Sequence, residues 1–310
     1  MSVLICGSIA YDTIMVFDGR FGDHILPDRV HSLSVAFVVP ALRRNYGGCG
    51  GNIAYNARLL GLEVRLLGAA GDDFTEYGNW LRRHGVNLDY VRVFPGTYTA
   101  QAYITTDVDA NQITAFHPGA MARAHEIAIP NDGSVSLAIV APDGREAMVG
   151  HARSLSAAKV PFLFDPGQNL PMFDGNDLKG FISQASWLVV NDYEAALVEE
   201  RTGLGPEAIA SQMKAYIVTR GAQGSTIYAD GVRHDIPPVV AEVVADPTGC
   251  GDAYRAGLIY GLTNGLGWEK TGRIASLMGA VKIAHHGTQS HSPDMAELRA
   301  RYQAAYGHAL

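Results

Sequence analysis

Cysteine is scarce: Cys6, Cys49 and Cys250 are the three in 310 residues. Their number is odd and they lie far apart, which excludes a disulfide framework and zinc-ligand spacing, and suits the cytoplasm. Cys49 and Cys250 each stand between glycines, where the need for a small side chain accounts for them. Positive charge is also short, with 24 Lys and Arg against 31 Asp and Glu and a formal net charge of −7. That excludes the basic footprint of a nonspecific nucleic-acid binder. No apolar run approaches the ~18–20 residues of a membrane span. The first apolar stretch lacks a basic flank and is interrupted by Asp12, so it reads as a strand rather than a signal peptide. Two nucleotide signatures are missing. There is no GxxxxGK[ST] loop, since Gly265–Thr271 has its letters at the wrong spacing. No GxGxxG follows the first strand, which leaves a dehydrogenase without its fingerprint. Adjacent His285 and His286, with His291, cannot face one ion from a regular helix, so zinc is not expected there.

What is present supports a large core. Hydrophobic residues make up 47% of the chain, and the length suits one α/β domain spanning 1–310. Val3–Gly7 reads as a buried first strand. From 135 onward the apolar pattern alternates between short strand-like runs and helical periods, with a mostly helical final third. This predicts a doubly wound, mostly parallel sheet with helices on both faces. Two β-rich segments, roughly 11–46 and 91–116, break the alternation. They are expected to form a small β-sheet beside the main one, a lid over the site, with Ser34–Val39 as one of its β pieces. Val35, Phe37 and Val38 on that lid invite pairing with a second copy. Asp73–Glu76 has the spacing of a capping box.

The run Asp246-Pro247-Thr248-Gly249-Cys250-Gly251-Asp252 carries the most chemistry. A glycine turn directly before an apolar-periodic helix aims backbone N–H groups at one point, where the helix dipole adds positive potential. Asp252 sets a carboxylate beside this anion site, so the run reads as a phosphoryl-transfer centre. The dipole favours the charged carboxylate, which predicts a weak base. Arg255, one turn on, either reaches the phosphates or pairs with a neighbouring acid. Asp12 follows the first strand at its carboxyl end, where open α/β sheets bind ligands; it is a ligand carboxylate or a turn residue. The cluster Gly47–Asn52 precedes the first long helix, with Asn52 as its cap or as a ligand amide. Asn191 and Glu194 begin another helix, as a cap or beside a hydrated cation. Thr219–Gly224 joins two strands, as a hairpin or a nucleotide-binding turn.

In order along the chain, Gly47-Gly48…Asn52, Asn191-x-x-Glu194, Thr219-x-Gly221-x-x-Gly224 and Asp246-x-Thr248-Gly249-x-Gly251-Asp252 resemble the ribokinase (PfkB) family of sugar and nucleoside kinases. Gly7–Ala10, Gly19–Phe21, Leu26-Pro27, Thr105–Asp109, Phe116–Met121 and Gly287–Gln289 are most similar to its bacterial adenosine kinases. The resemblance implies a ribokinase-like fold and ATP-dependent phosphorylation of a nucleoside 5′-hydroxyl, adenosine to AMP. It implies Asp252 as the catalytic base and Gly249, Cys250 and Gly251 as the anion hole. Asp12, Gly48 and Asn52 would hold the ribose, and Ser8, Phe116 and Gln168 the base and ribose. Asn191, Thr219, Gly221 and Gly224 fall at nucleotide-binding positions, and Glu194 at a Mg²⁺–water position. Asp246 and Thr248 would support a monovalent cation such as K⁺. Ala36 and Ala102 depart from the related enzymes, which place a hydroxyl and an aromatic side chain there. A sugar kinase for ribose or fructose, and a regulator that binds nucleotide without catalysis, are the competing expectations.

Overall fold

The computed structural model describes residues 2–25, 31–241 and 243–310. Leu26-Pro27 therefore lies outside the described residues. In chain order the elements are β1 (Ser2–Cys6), β2 (Ala10–Val16), α1 (Phe21–His24), β3 (Ala41–Gly47), α2 (Cys49–Leu59), β4 (Val64–Ala70), α3 (Thr75–Arg83), β5 (Asn87–Val93), β6 (Ala100–Thr106) and β7 (Gln112–His117). There follow β8 (Val135–Val140), α4 (Arg145–Ala157), β9 (Phe162–Phe164), α5 (Gly175–Gln184), β10 (Trp187–Asn191), α6 (Asp192–Thr202) and α7 (Pro206–Ala210). The last are β11 (Ala215–Thr219), β12 (Ser225–Ala229), β13 (Val232–Ile236), α8 (Cys250–Thr263), α9 (Trp268–Ile283) and α10 (Met295–Tyr306).

Nine strands form the main sheet in the order β13-β12-β11-β10-β9-β8-β1-β4-β5. From β11 to β5 every pair is parallel, and β12 and β13 add an antiparallel edge. The inner strands are apolar on both faces because helices cover both, as a parallel sheet requires. Their period of two splits the core: Val3, Ile5, Leu137 and Ile139 face the layer that holds α2, α8 and α9. Leu4, Cys6, Ala138 and Val140 face the layer of α4, α5 and α6. The chain leaves β1 toward β4 on one side and meets β8 on the other. The strand order therefore reverses at β1, the place where doubly wound sheets open a crevice at their carboxyl ends.

A second sheet of four strands runs β3-β2-β6-β7. Residues 91–93, expected in it, belong instead to β5 at the edge of the main sheet. Residues 34–39 form no strand; the pairing segment is β3, further on. Phe37 packs its ring on Phe17 and Phe21 instead, while Val38 stays 84% exposed. Asp73 does not cap α3. Its carboxylate accepts from the Thr99 amide at 2.8 Å and from Arg44 at 3.0 Å, and so ties the two sheets together.

Candidate active site

The register of the small sheet places Asn45, Asp12, Ala102 and Phe116 in one row across β3, β2, β6 and β7. Directly opposed residues share a face, and Asp12, Ala102 and Phe116 line one cleft of about 510 Å³. Its other wall comes from the carboxyl ends of the main-sheet strands and the start of α8. Ser8, Gly48, Asn52, Gln168, Thr248, Gly249, Gly251 and Asp252 all reach it, as do Asn191 and Glu194. Residues as far apart in sequence as Ser8 and Asp252 are thus gathered around one space.

Each is fixed by local chemistry. Gly48 has φ +82°, and a Cβ there would lie 2.5 Å from the Ser8 carbonyl, so only glycine permits this start to α2. Ser8 Oγ accepts from the Cys49 amide at 3.0 Å, which makes it a support of the helix as well as a lining residue. Asn52 is inside α2, not its cap. Its Nδ2 donates to Asp252 Oδ2 at 2.8 Å, and its Oδ1 accepts from Gln289 Nε2 at 2.9 Å. Gln289 is oriented in turn by Trp80 Nε1, which donates to its Oε1 at 3.1 Å. The Asn52 amide can therefore point only one way, with its N–H toward the carboxylate. Gln168 is exposed to the cleft and touches Cys49 Sγ. Phe116 is 53% exposed, a ring face with nothing stacked on it among the described residues.

Asp252 lies on the cleft floor in the first turn of α8. Burial pushes its pKa up to about 7; the Asn52 hydrogen bond pulls down, Asp165 pushes up and Arg255 pulls down. Desolvation thus outweighs the helix end, and the carboxylate is a stronger base than the dipole alone predicts. Asp12 is raised to about 6, by burial first and by Asp246 second. Gly249 caps α8 at φ +79°, and a Cβ there would press on Thr288 Cγ2 at 3.0 Å. Among the described residues no protein acceptor meets the Gly249 and Gly251 amides. The Cys250 amide instead closes on the Pro247 carbonyl at 3.2 Å. Two of the three expected anion-hole donors are therefore free, and Cys250 faces a different cleft.

That second cleft, about 480 Å³, is lined by Thr219, Gly221, Gly224, Val240, Cys250 and Tyr254, with Ala280 and Ile283 of α9. It shares Gly251 and Arg255 with the first. Asn191, expected with Thr219 at the nucleotide, lines the first cleft, as does Glu194, expected at a Mg²⁺–water position. The two form a capping box: Asn191 Oδ1 accepts from the Glu194 amide at 2.7 Å, and Glu194 Oε2 accepts from the Asn191 amide at 2.8 Å.

Asp165 beside the site carries no signal in the sequence. Asp165, at the end of β9, takes Arg255 in a bidentate pair at 2.9 and 3.0 Å, with both side chains buried. Of the two alternatives for Arg255, the ion pair is the one formed. No group of three or more His, Cys, Asp or Glu that could hold a metal occurs among the described residues. His291 is buried, with Nε2 2.7 Å from Asn56 Oδ1, and burial lowers its pKa to about 3, so it stays neutral. No helix among the described residues is long and apolar enough to cross a membrane.

Two clefts of similar size that meet at a glycine turn and a helix N-terminus are what a transfer reaction between two bound reactants needs. The pfkB family carbohydrate kinase model matches residues 12–295. The chain belongs to the pfkB family. It is therefore a phosphotransferase, and the two clefts fit a phosphoryl donor and an acceptor. A family member from Methanocaldococcus jannaschii, a nucleoside kinase, is 31% identical over 257 residues, 82% of this chain and 84% of that protein. The solved nucleoside kinase of Burkholderia thailandensis in complex with inosine is 51% identical, covers 99% of both chains and superposes with a TM-score of 0.90. The same kinase has been solved in complex with ADP-inosine, at a TM-score of 0.87 and 52% identity over 99% of this chain and 97% of that one. Bacillus subtilis ribokinase is 25% identical across 96% of this chain and 98% of its own. The nine-stranded sheet with its small antiparallel companion is thus the ribokinase-like fold.

Proposed function

We propose that the chain transfers the γ-phosphoryl of ATP to the 5′-hydroxyl of a purine nucleoside, with adenosine and inosine both within reach. The observation that carries this is the row Asp12–Ala102–Phe116 facing Asp252 across one cleft. A sugar alone needs only the Asp12 carboxylate of that row. The exposed Phe116 ring has a use only if a flat base stacks on it, a contact worth ~1–3 kcal/mol elsewhere. Similarity to nucleoside kinases, one of them bound to inosine, supports the same reading. Neither the phenyl ring nor the Ala102 methyl distinguishes a 6-amino from a 6-oxo group, so we extend adenosine to its 6-oxo analogue.

In this reading Asp12 accepts from the ribose hydroxyls and Ser8 and Gln168 lie along the nucleoside. Asp252 orients the 5′-hydroxyl and takes its proton as the bond to phosphorus forms. Asn52 holds the carboxylate in place while it is charged. The Gly249 and Gly251 amides meet the charge spread over the transferring phosphoryl, the main task of a protein in this chemistry. The aliphatic cleft of Thr219, Gly221, Gly224 and Val240 takes the adenine of ATP. Mg²⁺ fits the donor set: it prefers phosphate oxygens, waters and one or two carboxylates, and Glu194 is a carboxylate offered in the first cleft. When bound, it would neutralise charge between the phosphates. We also carry a homodimer through the small sheet, because β7 is exposed along its whole length as an edge strand; sedimentation at micromolar concentration as a monomer would remove it. The compartment we propose is the cytoplasm, where free cysteines persist.

The test is to incubate purified protein with ATP, Mg²⁺ and adenosine, inosine, ribose or fructose in turn. ADP formation with a purine nucleoside is expected. Turnover with the sugars alone would move the reading to a sugar kinase, and none with any acceptor would leave a nucleotide-binding regulator.

A further inference from the structure

Lys282 is the one lysine with no exposure at all. It stands in the last turn of α9, directly behind the turn that ends in Gly249–Gly251. A buried ammonium costs several kcal/mol unless its protons are met. No carboxylate forms an ion pair with it among the described residues. Its Nζ donates to two backbone carbonyls instead, Asp246 at 2.7 Å and His285 at 3.0 Å. The Asp246 carboxylate is already engaged, accepting from the Thr248 amide at 2.9 Å and the Gly287 amide at 2.9 Å. Carbonyls from two loops converging on a compact positive charge are how backbone holds K⁺. Here the same place is filled by a covalently attached ammonium, an ion of nearly the same size and charge. The residues named for a monovalent cation, Asp246 and Thr248, therefore do not fit one: the carbonyl is taken, and so are both carboxylate oxygens.

We propose that Lys282 is a built-in monovalent cation, so that this chain binds no K⁺ at the turn and works without it. Its charge pins the 246–251 loop to the 285–288 loop, and Thr288 of the second packs against Gly249 of the first. Lys282 is thus a positioning residue for the Gly249 and Gly251 amides. The inference rests on reading that turn as the phosphate site, and a binding measurement without substrate keeps the two ideas separable.

At constant ionic strength, K⁺ is exchanged for choline up to about 100 mM. Wild-type turnover is expected to change by less than about twofold, and the melting temperature of the ligand-free protein to be the same in both salts. Lys282→Ala leaves a space of the right charge preference. It should lose about tenfold or more in kcat with little change in nucleoside KM, regain activity with K⁺ or NH₄⁺ rather than Na⁺, and gain a K⁺-specific rise in melting temperature. Lys282→Met fills the space without charge and should lose kcat with no rescue. Saturable activation of the wild type by K⁺, or a K⁺-specific rise in its melting temperature, overturns the proposal. So does a Lys282→Ala protein that folds and is indifferent to K⁺ by both measures. If neither variant folds, the two wild-type measurements still decide. A wild type that turns over no acceptor but melts identically in K⁺ and choline counts against the functional reading and not against the built-in cation.

Discussion

Lowering the pH from 8 to 5 should slow nucleoside phosphorylation far more than an ordinary aspartate base would allow. The perturbed group is Asp252, whose pKa burial lifts to about 7. The acid must be ionised to take the hydroxyl proton, so activity is lost as pH falls through that value. With a pKa of about 7 the ionised fraction is about 90% at pH 8 and about 1% at pH 5, so Asp252 alone should lower kcat/KM nearly a hundredfold, and protonation of Asp12, raised to about 6, can only add to the loss. With an unperturbed value the same change would cost less than about 10%. The assay is kcat/KM for the nucleoside at saturating Mg·ATP across pH 5–9. Asn52 supplies the discriminating variant. It donates to the charged carboxylate at 2.8 Å, so Asn52→Ala should move the acidic limb to higher pH. A hydrogen bond to a charged group is worth ~1.5–3 kcal/mol, which converts to roughly one to two pH units. An acidic limb below about pH 5, or one that ignores Asn52→Ala, would refute the assignment of the base and of its partner.

Three other outcomes follow from the geometry. Phe116→Ala removes the ring on which the base would stack; nucleoside KM should rise about tenfold or more, with KM for ATP unchanged, in steady-state assays. Gly249→Ala forces a methyl group to φ +79° against Thr288; kcat should fall at least about tenfold, while melting temperature changes by only a few degrees, the cost of strain being ~1–3 kcal/mol. Arg255→Met strands Asp165 inside the protein and should cost ~3–5 kcal/mol in urea unfolding, and Arg255→Met with Asp165→Leu should recover most of it, because replacing both partners removes the buried unpaired charge.

Much of this arrangement is written locally, and that part is legible in the sequence. Alternating strand and helix periods give the doubly wound sheet. The glycine turn before α8, the cluster before α2 and Asp12 after β1 each announce a site from a few adjacent letters. The small sheet is read less well, because its register joins β2 to β3 across a wide separation in sequence, and Ser34–Val39 has strand composition without a partner edge. Asp73 looks like a cap by spacing, but three lid residues, Arg44, Thr99 and Gln101, take its carboxylate instead. The remaining site chemistry is long-range. Asp165 meets Arg255 across 90 positions, and Gln289 meets Asn52 across 237. Lys282 sits in an apolar-periodic helix and gives no sign in the sequence of the carbonyls it faces. The strength of Asp252 as a base is hidden for a related reason: the helix dipole is visible in sequence, whereas the depth of burial that raises its pKa is not.

The most direct test of the central claim is the identity of the product. Purified protein is incubated with ATP, Mg²⁺ and inosine or adenosine, and the phosphorylated product is examined by ³¹P–¹H correlation. The account predicts a nucleoside monophosphate whose phosphorus couples to the two C5′ protons. Phosphorus on another ribose position, or phosphorylation of free ribose with the nucleosides left untouched, would contradict it.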